Sequence, residues 1–281
     1  MYIELPQGTK VIGMKPLATS QWAKTFQIQT SSPPSYFLKI STGHHGHEAL
    51  KGEHESATAI HKTIPDFIPQ PLGWGTFQEI PDTHFYLCEF HNLLPGPPAI
   101  NSFTAKLARL HTSTSSPNGK FGFHVTTYNG NLPQENTYTD TWEAFFTKGL
   151  KHILDLHARV AGASELDNLA PAIFSKVIPR LLRPLESHGR TIKPTLVHGD
   201  LWCGNTATDS GSEKAMVFDP CCCWAHNEYE MGDWRQTRNR FSEEYFAAYH
   251  AIIPPSHPQD EFDDRNALYA IVISEMKRLI D

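Results

Sequence analysis

The first ninety or so residues alternate between apolar and polar positions, with the period of two that is typical of β-strands. Trp22–Thr30 and Ser35–Ile40 are rich in strand-forming residues, and Pro33-Pro34 between them suits a tight connection. The pattern therefore predicts an antiparallel hairpin. Two further strands are predicted around Leu72–Phe77 and His84–Phe90.

A helical pattern interrupts these strands over His47–Thr63. Its apolar positions Leu50, Ala57 and Ile60 recur near the helical period, and the helix breaker Pro65 follows. We expect a helix that packs on the hairpin. We interpret the histidines near its start as part of a solvated loop and not as a ligand set: His44, His45 and His47.

Beyond the turn-rich segment Leu93–Pro98, which predicts a hinge, the chain is mainly helical. We therefore expect an α+β fold with a small N-terminal lobe of residues 1–91, built from an antiparallel sheet and a helix, and a larger, mainly helical C-terminal lobe of residues 92–281. Apolar residues recur at helical spacing in five segments: Phe103–His111, Thr141–Val160, Pro171–His188, Phe241–Ala251 and Asn266–Ile280.

Length and charge narrow the class of protein. At 281 residues, one domain of two lobes is expected. The net charge of -6 disfavours nucleic acid as a partner, because binding to phosphate backbones needs a surplus of Lys and Arg. The N-terminus lacks a signal pattern, and no apolar run approaches the roughly 18 residues of a membrane span. We expect a soluble, cytoplasmic protein that is a monomer or a weak dimer.

The five cysteines include no CxxC pair, which indicates reduced thiols. A metal site built from Cys221–Cys223 and His226 is an alternative, but zinc sites favour ligands in two separated pairs. We therefore interpret this run as three small side chains at the end of a buried strand.

One non-helical island, Thr195–Pro220, interrupts the helical lobe. An apolar run leads to Asp200, Asn205 follows five positions later, and Asp219 ends a second apolar strand. Asp and Asn also cap turns, so each residue alone has a purely structural interpretation. Together they supply what phosphoryl transfer needs: a carboxylate that accepts the proton of an attacking hydroxyl, and oxygen ligands for magnesium.

These motifs resemble those of a known family. HGDxxxxN, followed by a strand that ends in Asp, is similar to the catalytic and metal-binding loops of aminoglycoside phosphotransferases, a branch of the protein-kinase-like fold. Four stretches narrow the resemblance to the ketosamine (fructosamine) 3-kinases: HGDLWCGN at His198–Asn205, FDPCCCWAHNEYE at Phe218–Glu230, FGFHVTTYNGNLPQEN at Phe121–Asn136 and TWEAFF at Thr141–Phe146.

The resemblance implies a two-lobed kinase-like fold and an enzyme that uses ATP and Mg²⁺. The enzyme would phosphorylate the 3-hydroxyl of a ketosamine, a sugar adduct of lysine or a free amine, which is either a small molecule or bound to a protein. The phosphorylated adduct would release its amine, which is a repair of glycation. The resemblance also implies that Asp200 is the catalytic base and that Asn205 and Asp219 hold the metal.

In the N-terminal lobe, the resemblance implies that Lys39 holds the α- and β-phosphates of ATP. Its ion-pair partner would be Glu53, with Glu55 as the alternative. Backbone groups of the lobe linker would hydrogen-bond to adenine, and that linker comprises Glu89, Phe90 and His91.

On the acceptor side, Trp202 would lie against the sugar or its amine-bearing substituent, with a buried core position as the alternative. His226 and Glu228 belong to a family segment, continued by Glu230, in which an acidic residue would meet the amine; partners within the fold are the alternative. His111 would brace the catalytic loop.

Two features depart from the family pattern. The expected phosphate loop, Lys15–Lys24, has no glycine, which predicts looser contacts with the phosphates. After Leu268-Tyr269 a polar segment of the family pattern is absent, so we expect an open acceptor pocket or a missing stretch of sequence. The alternatives are a kinase of the same fold for an aminoglycoside or a choline-like alcohol, and a nucleotide-binding pseudokinase.

Overall fold

The computed structural model describes residues 8–20, 22–161 and 165–278. An antiparallel sheet in the order β1-β2-β3-β5-β4 forms the N-terminal lobe. The predicted hairpin is confirmed, since β2 and β3 pair with Lys24 opposite Ile40. The strands are β1 (Val11–Thr19), β2 (Lys24–Thr30), β3 (Tyr36–Thr42), β4 (Pro71–Thr76) and β5 (Thr83–Glu89).

Helix α1 (Gly43–Thr63) follows β3 and packs on β4 and β5. It begins at Gly43, before the predicted start, so the prediction of a solvated loop was wrong: His44, His45 and His47 lie on the helix. A Cβ atom on Gly52 would lie 2.6 Å from the carbonyl oxygen of Thr126, which shows how closely α1 approaches the C-terminal lobe. The helix is thus fixed to both lobes.

The C-terminal lobe is mainly helical, as predicted, and contains α2 (Ile100–Ser113), α3 (Trp142–Ala161), α4 (Glu165–Ala172), α5 (Ile178–Leu182), α6 (Glu243–His250) and α7 (Phe262–Arg278). A π-helical turn, Ile173–Val177, joins α4 to α5. Pro171 lies within α4. Because proline lacks a backbone donor, it accounts for the change of winding that follows. In the described parts of the chain, no helix combines the length and the apolar character needed to cross a bilayer.

The non-helical island and the segments around it contain short paired strands. They pair as β6 (Leu93–Pro95) with β10 (Thr206–Asp209), β10 with β11 (Ala215–Val217), β9 (Thr195–Val197) with β12 (Cys223–Ala225), and β7 (Tyr128–Asn129) with β8 (Leu132–Pro133). The predicted hinge therefore begins with a strand of a C-terminal sheet. The lobe boundary between residues 91 and 92 stays a prediction.

Most of the buried apolar side chains form one core beneath the island. Ile60 of α1, Phe103 of α2 and Trp142 of α3 belong to it together with Leu196 of β9. A smaller core lies in the sheet around Tyr36. Because α1 contributes to the larger core, the side chains on its other face have a fixed position relative to the island. The two-lobed α+β architecture is confirmed.

Candidate active site

Two adjoining cavities lie at the junction of the lobes. The first, of about 620 Å³, is lined by six of the predicted residues: Lys39, Glu53, Asp200, Trp202, Asn205 and Asp219. The second, of about 630 Å³, shares Lys39, Glu53 and Asp219 with the first and extends to Glu89, Phe90 and His91. The structure therefore brings together predicted residues that are far apart in the sequence.

The turn after β9 presents Asp200 to the first cavity. Gly199 has φ of +87°, and a Cβ atom there would collide with the carbonyl group of Cys221. Only glycine fits such a position without strain. The side-chain amide of Asn205 donates to the backbone oxygen and to Oδ2 of Asp200, each at 2.8 Å. These two hydrogen bonds connect the first and last residues of the loop Asp200–Asn205.

A buried carboxylate, that of Glu230, holds this turn through hydrogen bonds with its backbone. Its oxygens accept hydrogen bonds from the backbone amides of His198 and Gly199, the latter at 3.0 Å. His111 Nε2 lies 3.5 Å from the same carboxylate. Burial would raise the pKa of Glu230, but its contacts with His111 and His198 outweigh burial and lower it. His111 therefore contacts the catalytic loop indirectly, through Glu230. The sequence analysis had considered Glu230 only as a contact of the acceptor.

Lys39 forms ion pairs with two acids on opposite lobes. Its Nζ atom lies 2.8 Å from Glu53 Oε2 and 2.8 Å from Asp219 Oδ1. Burial would lower the pKa of Lys39, but the two carboxylates outweigh it and raise the pKa. Burial raises the pKa of Glu53 to about 7, despite the opposing effect of Lys39. Glu55 contacts His124 instead, at 3.0 Å, so it does not replace Glu53.

The lobe linker has one uncommitted amide at the second cavity. The amide of Glu89 donates to Gln70 and the amide of Phe90 donates to Ser35, each at 3.0 Å. The amide of His91 makes no such bond within the described residues. Of the three linker amides, that of His91 is therefore the one placed to meet a ligand.

The expected phosphate loop is shorter than Lys15–Lys24, because β1 continues to Thr19 and β2 begins at Lys24. Ser20 Oγ accepts hydrogen bonds from the backbone amides of Trp22 and Ala23, at 3.2 and 3.0 Å. A serine hydroxyl thus closes the turn in a sequence without glycine.

His226 and Glu228 do not reach either cavity, which contradicts the prediction that they contact the acceptor. Glu228 Oε2 pairs with Arg265 Nε at 2.8 Å in the protein interior. His226 contacts the hydroxyls of Tyr269 and Ser256, at 3.0 and 2.9 Å. Burial lowers the pKa of His226 to about 4, so this imidazole is neutral. The alternative, partners within the fold, is the arrangement observed.

Trp202 is half-buried at the edge of the first cavity, where its indole packs over Gly204. The alternative of a fully buried core position does not apply. Three further lining residues were missed by the sequence analysis: His45, Tyr128 and Arg238. His45 was overlooked because the start of α1 was placed too late.

The cysteine run is structural. Cys221–Cys223 are buried, and Cys223 begins β12, which confirms the interpretation as a buried strand end. Burial raises the pKa of Cys222 well above its ordinary value, so its thiol stays protonated. Among the residues that the structure describes, no group of three or more His, Cys, Asp or Glu side chains is arranged to hold a metal ion.

In the first cavity, Lys39 and Glu53 of the N-terminal lobe face Asp200, Asn205 and Asp219 of the C-terminal lobe. This arrangement is typical of small-molecule phosphotransferases with a protein-kinase-like fold. Residues 4–274 match the family model for fructosamine kinase, and the chain belongs to that family. It is 27% identical to the chloroplastic protein-ribulosamine 3-kinase of Oryza sativa subsp. japonica, over 94% of this chain and 73% of that protein. It is 29% identical to the ketosamine-3-kinase of Mus musculus, over 84% of this chain and 79% of that protein.

Solved structures agree on the fold. A candidate fructosamine-3-kinase from Haemophilus somnus superposes with a TM-score of 0.76 at 21% identity, covering 97% of this chain and 87% of that one. An aminoglycoside phosphotransferase in a complex with AMP-PNP and hygromycin B has a TM-score of 0.56 at 15% identity, covering 96% of this chain and 94% of that one.

Proposed function

We propose that this protein is an ATP-dependent kinase that phosphorylates the 3-hydroxyl of ketosamines, the sugar adducts of lysine and other amines. The observation that carries the proposal is the single cavity in which Asp200, held by Asn205, faces the ion pair of Lys39 with Asp219. Family membership and the ketosamine and ribulosamine kinases among the relatives support the substrate class.

The second cavity suits the adenine ring. The amide of His91 would donate to one edge of the ring, and apolar side chains such as Phe37 and Ile68 line the cavity walls. Lys39, anchored by Glu53, would hold the α- and β-phosphates. The complex of the structurally similar aminoglycoside phosphotransferase with AMP-PNP supports the use of a nucleotide.

Asp219 and Asn205 fit a magnesium ion. Both line the first cavity, and carboxylate and amide oxygens are hard donors of the kind that Mg²⁺ prefers. Magnesium is commonly held by one or two carboxylates together with phosphate oxygens, so two protein ligands are enough. When bound, the ion would neutralise charge on the transferred phosphate.

Asp200 would perform the proton transfer. Its carboxylate accepts a hydrogen bond from the 3-hydroxyl and takes the proton as the oxygen bonds to the γ-phosphorus and the bond to the bridging oxygen of ADP breaks. Asn205 and Glu230 keep the carboxylate in position. Release of the amine from the phosphorylated adduct would complete a repair of glycation.

Coupled ADP release tests this proposal, with fructosyl-lysine, ribulosyl-lysine, choline and kanamycin as acceptors. We expect release with the two ketosamines and background rates with choline and kanamycin. Turnover of choline or kanamycin in place of the ketosamines would refute the substrate class. Binding of ATP without turnover of any acceptor would favour the pseudokinase alternative.

A further inference from the structure

The charged side chains around the first cavity differ in whether a role has been assigned to them. Five Lys, Arg, Asp and Glu side chains line it: Lys39, Glu53, Asp200, Asp219 and Arg238. The first four belong to the nucleotide-binding and proton-transfer groups described above. Arg238 is exposed, and within the part of the chain that the structure describes its guanidinium makes no ion pair or hydrogen bond. It is therefore the uncommitted charge of this cavity.

The backbone around Arg238 is tied to the catalytic loop. Trp234 Nε1 donates to the carbonyl oxygen of Leu201 at 3.1 Å, and Asn239 Nδ2 donates to the carbonyl oxygen of Asp233 at 2.5 Å. The Cys203 thiol lies 3.8 Å from the carbonyl oxygen of Arg238. Arg238 is thus held beside the turn that carries Trp202, the residue that we expect to lie against the acceptor.

The two acids that the resemblance offered for the amine, Glu228 and Glu230, have partners within the fold. Glu228 is paired with buried Arg265, and Glu230 holds the catalytic loop. A ketosamine amine, which is cationic when protonated, therefore meets neither of these two carboxylates there, but the positive guanidinium of Arg238. An acceptor that carries its own carboxylate would be favoured, because guanidinium binds carboxylate through two parallel hydrogen bonds.

We infer that Arg238 binds a carboxylate on the amine-bearing part of the acceptor, so that ketosamine adducts of free amino acids are preferred over adducts of simple amines. This inference rests on the proposed kinase function. Arg238 would act as a specificity residue: it contacts the substituent and not the hydroxyl that reacts. A contact between Arg238 and the phosphates of ATP is the competing arrangement.

Two matched pairs of acceptors test the inference, each differing only by a carboxylate. The pairs are fructosyl-lysine with fructosyl-cadaverine and fructosyl-glycine with fructosyl-methylamine, which place the carboxylate at two distances from the sugar. The measured quantity is the ratio of kcat/KM within each pair, for the wild type, Arg238→Gln, Arg238→Lys and the control Arg240→Gln. Arg240 is exposed, two positions away and outside the cavity lining.

In the wild type, we expect a preference of about tenfold for the carboxylate in at least one pair, the scale of one hydrogen bond between charged groups. Arg238→Gln should bring that ratio close to one, Arg238→Lys should keep part of it, and Arg240→Gln should keep all of it. A wild-type ratio near one in both pairs, or a preference that survives Arg238→Gln, would overturn the inference alone. An equal rise in the KM for ATP with every acceptor in Arg238→Gln would assign Arg238 to the nucleotide. Failure of the wild type to phosphorylate any of the four acceptors would overturn the proposed function as well.

Discussion

The backbone amide of Gly199 donates a hydrogen bond of 3.0 Å to Oε1 of Glu230, so a buried carboxylate fixes the turn that presents Asp200. Glu230 is only 2% exposed, and its other oxygen accepts from the amide of His198. The position of Asp200 therefore depends on a residue that touches no substrate.

Replacing Glu230 should slow turnover more than it weakens binding. In Glu230→Gln one acceptor oxygen becomes an NH₂ group that faces a backbone N–H, so the turn shifts. A misplacement of about 1 Å costs on the order of a hundredfold in rate. We expect kcat to fall by that order, with the KM for ATP changed less than about threefold.

Glu228→Gln is the matched control for this variant, because Glu228 is equally buried but pairs with Arg265, away from the loop. It should lower the unfolding temperature while the folded fraction retains its kcat. Equal losses of kcat in the two variants would show that Glu230 acts only through stability.

The dependence of ATP use on pH should follow Glu53, whose pKa burial raises to about 7. Above that pH the carboxylate is ionised and anchors Lys39; below it, protonation removes the ion pair. We expect kcat/KM for ATP, which reports the free enzyme, to fall as the pH is lowered through about 7. Glu53→Gln should give a low and flat profile. A wild-type midpoint near the ordinary glutamate pKa of about 4.3 would contradict this account.

Asp219→Asn should weaken magnesium-dependent nucleotide binding by about tenfold or more, which corresponds to about 1.4 kcal/mol, because a neutral amide replaces an anionic ligand. The rise in unfolding temperature with MgATP measures it. Cys223→Ala, a change in the buried strand nearby, is the control: it should lower the unfolding temperature without nucleotide but preserve the rise. Loss of the rise in Cys223→Ala alone would implicate the cysteine run in binding.

Thiol reactivity should distinguish Cys203 from the other four cysteines, which are buried. In the native protein, we expect a disulfide reagent to react rapidly with one thiol per chain, and with all five after denaturation. Cys203→Ser should abolish the rapid phase. Rapid reaction of a second thiol in the native protein would show that the Cys221–Cys223 strand opens.

The proposed catalytic centre could be predicted from the sequence because Asp200, Asn205 and Asp219 lie in one short segment, the island Thr195–Pro220. The sequence could not reveal that Glu230 supports the turn before Asp200, because its partners are backbone amides more than thirty positions away, which no pattern of side chains indicates. It also placed Glu228 wrongly, because the direction of that side chain is set by Arg265, which is distant in sequence.

The start of α1 was missed for a local reason. Thr42 makes no side-chain capping hydrogen bond, and the first turn contains no acidic residue, so the usual start signals are absent. Gly43 and Gly46 further hide the helical period there. Tertiary packing determines this end of the helix, and with it the position of His45 in the cavity.

Single-turnover phosphate transfer from ATP to fructosyl-lysine, followed by ³¹P NMR in the wild type and in Asp200→Asn, tests whether Asp200 is the base of a ketosamine 3-kinase. We expect the wild type to form a phosphate ester at the 3-hydroxyl. Asp200→Asn should bind MgATP with unchanged thermal stabilisation but transfer phosphate about 10²- to 10⁴-fold more slowly. Transfer by Asp200→Asn at more than about a tenth of the wild-type rate would exclude Asp200 as the base, and an ester at another position would exclude a 3-kinase.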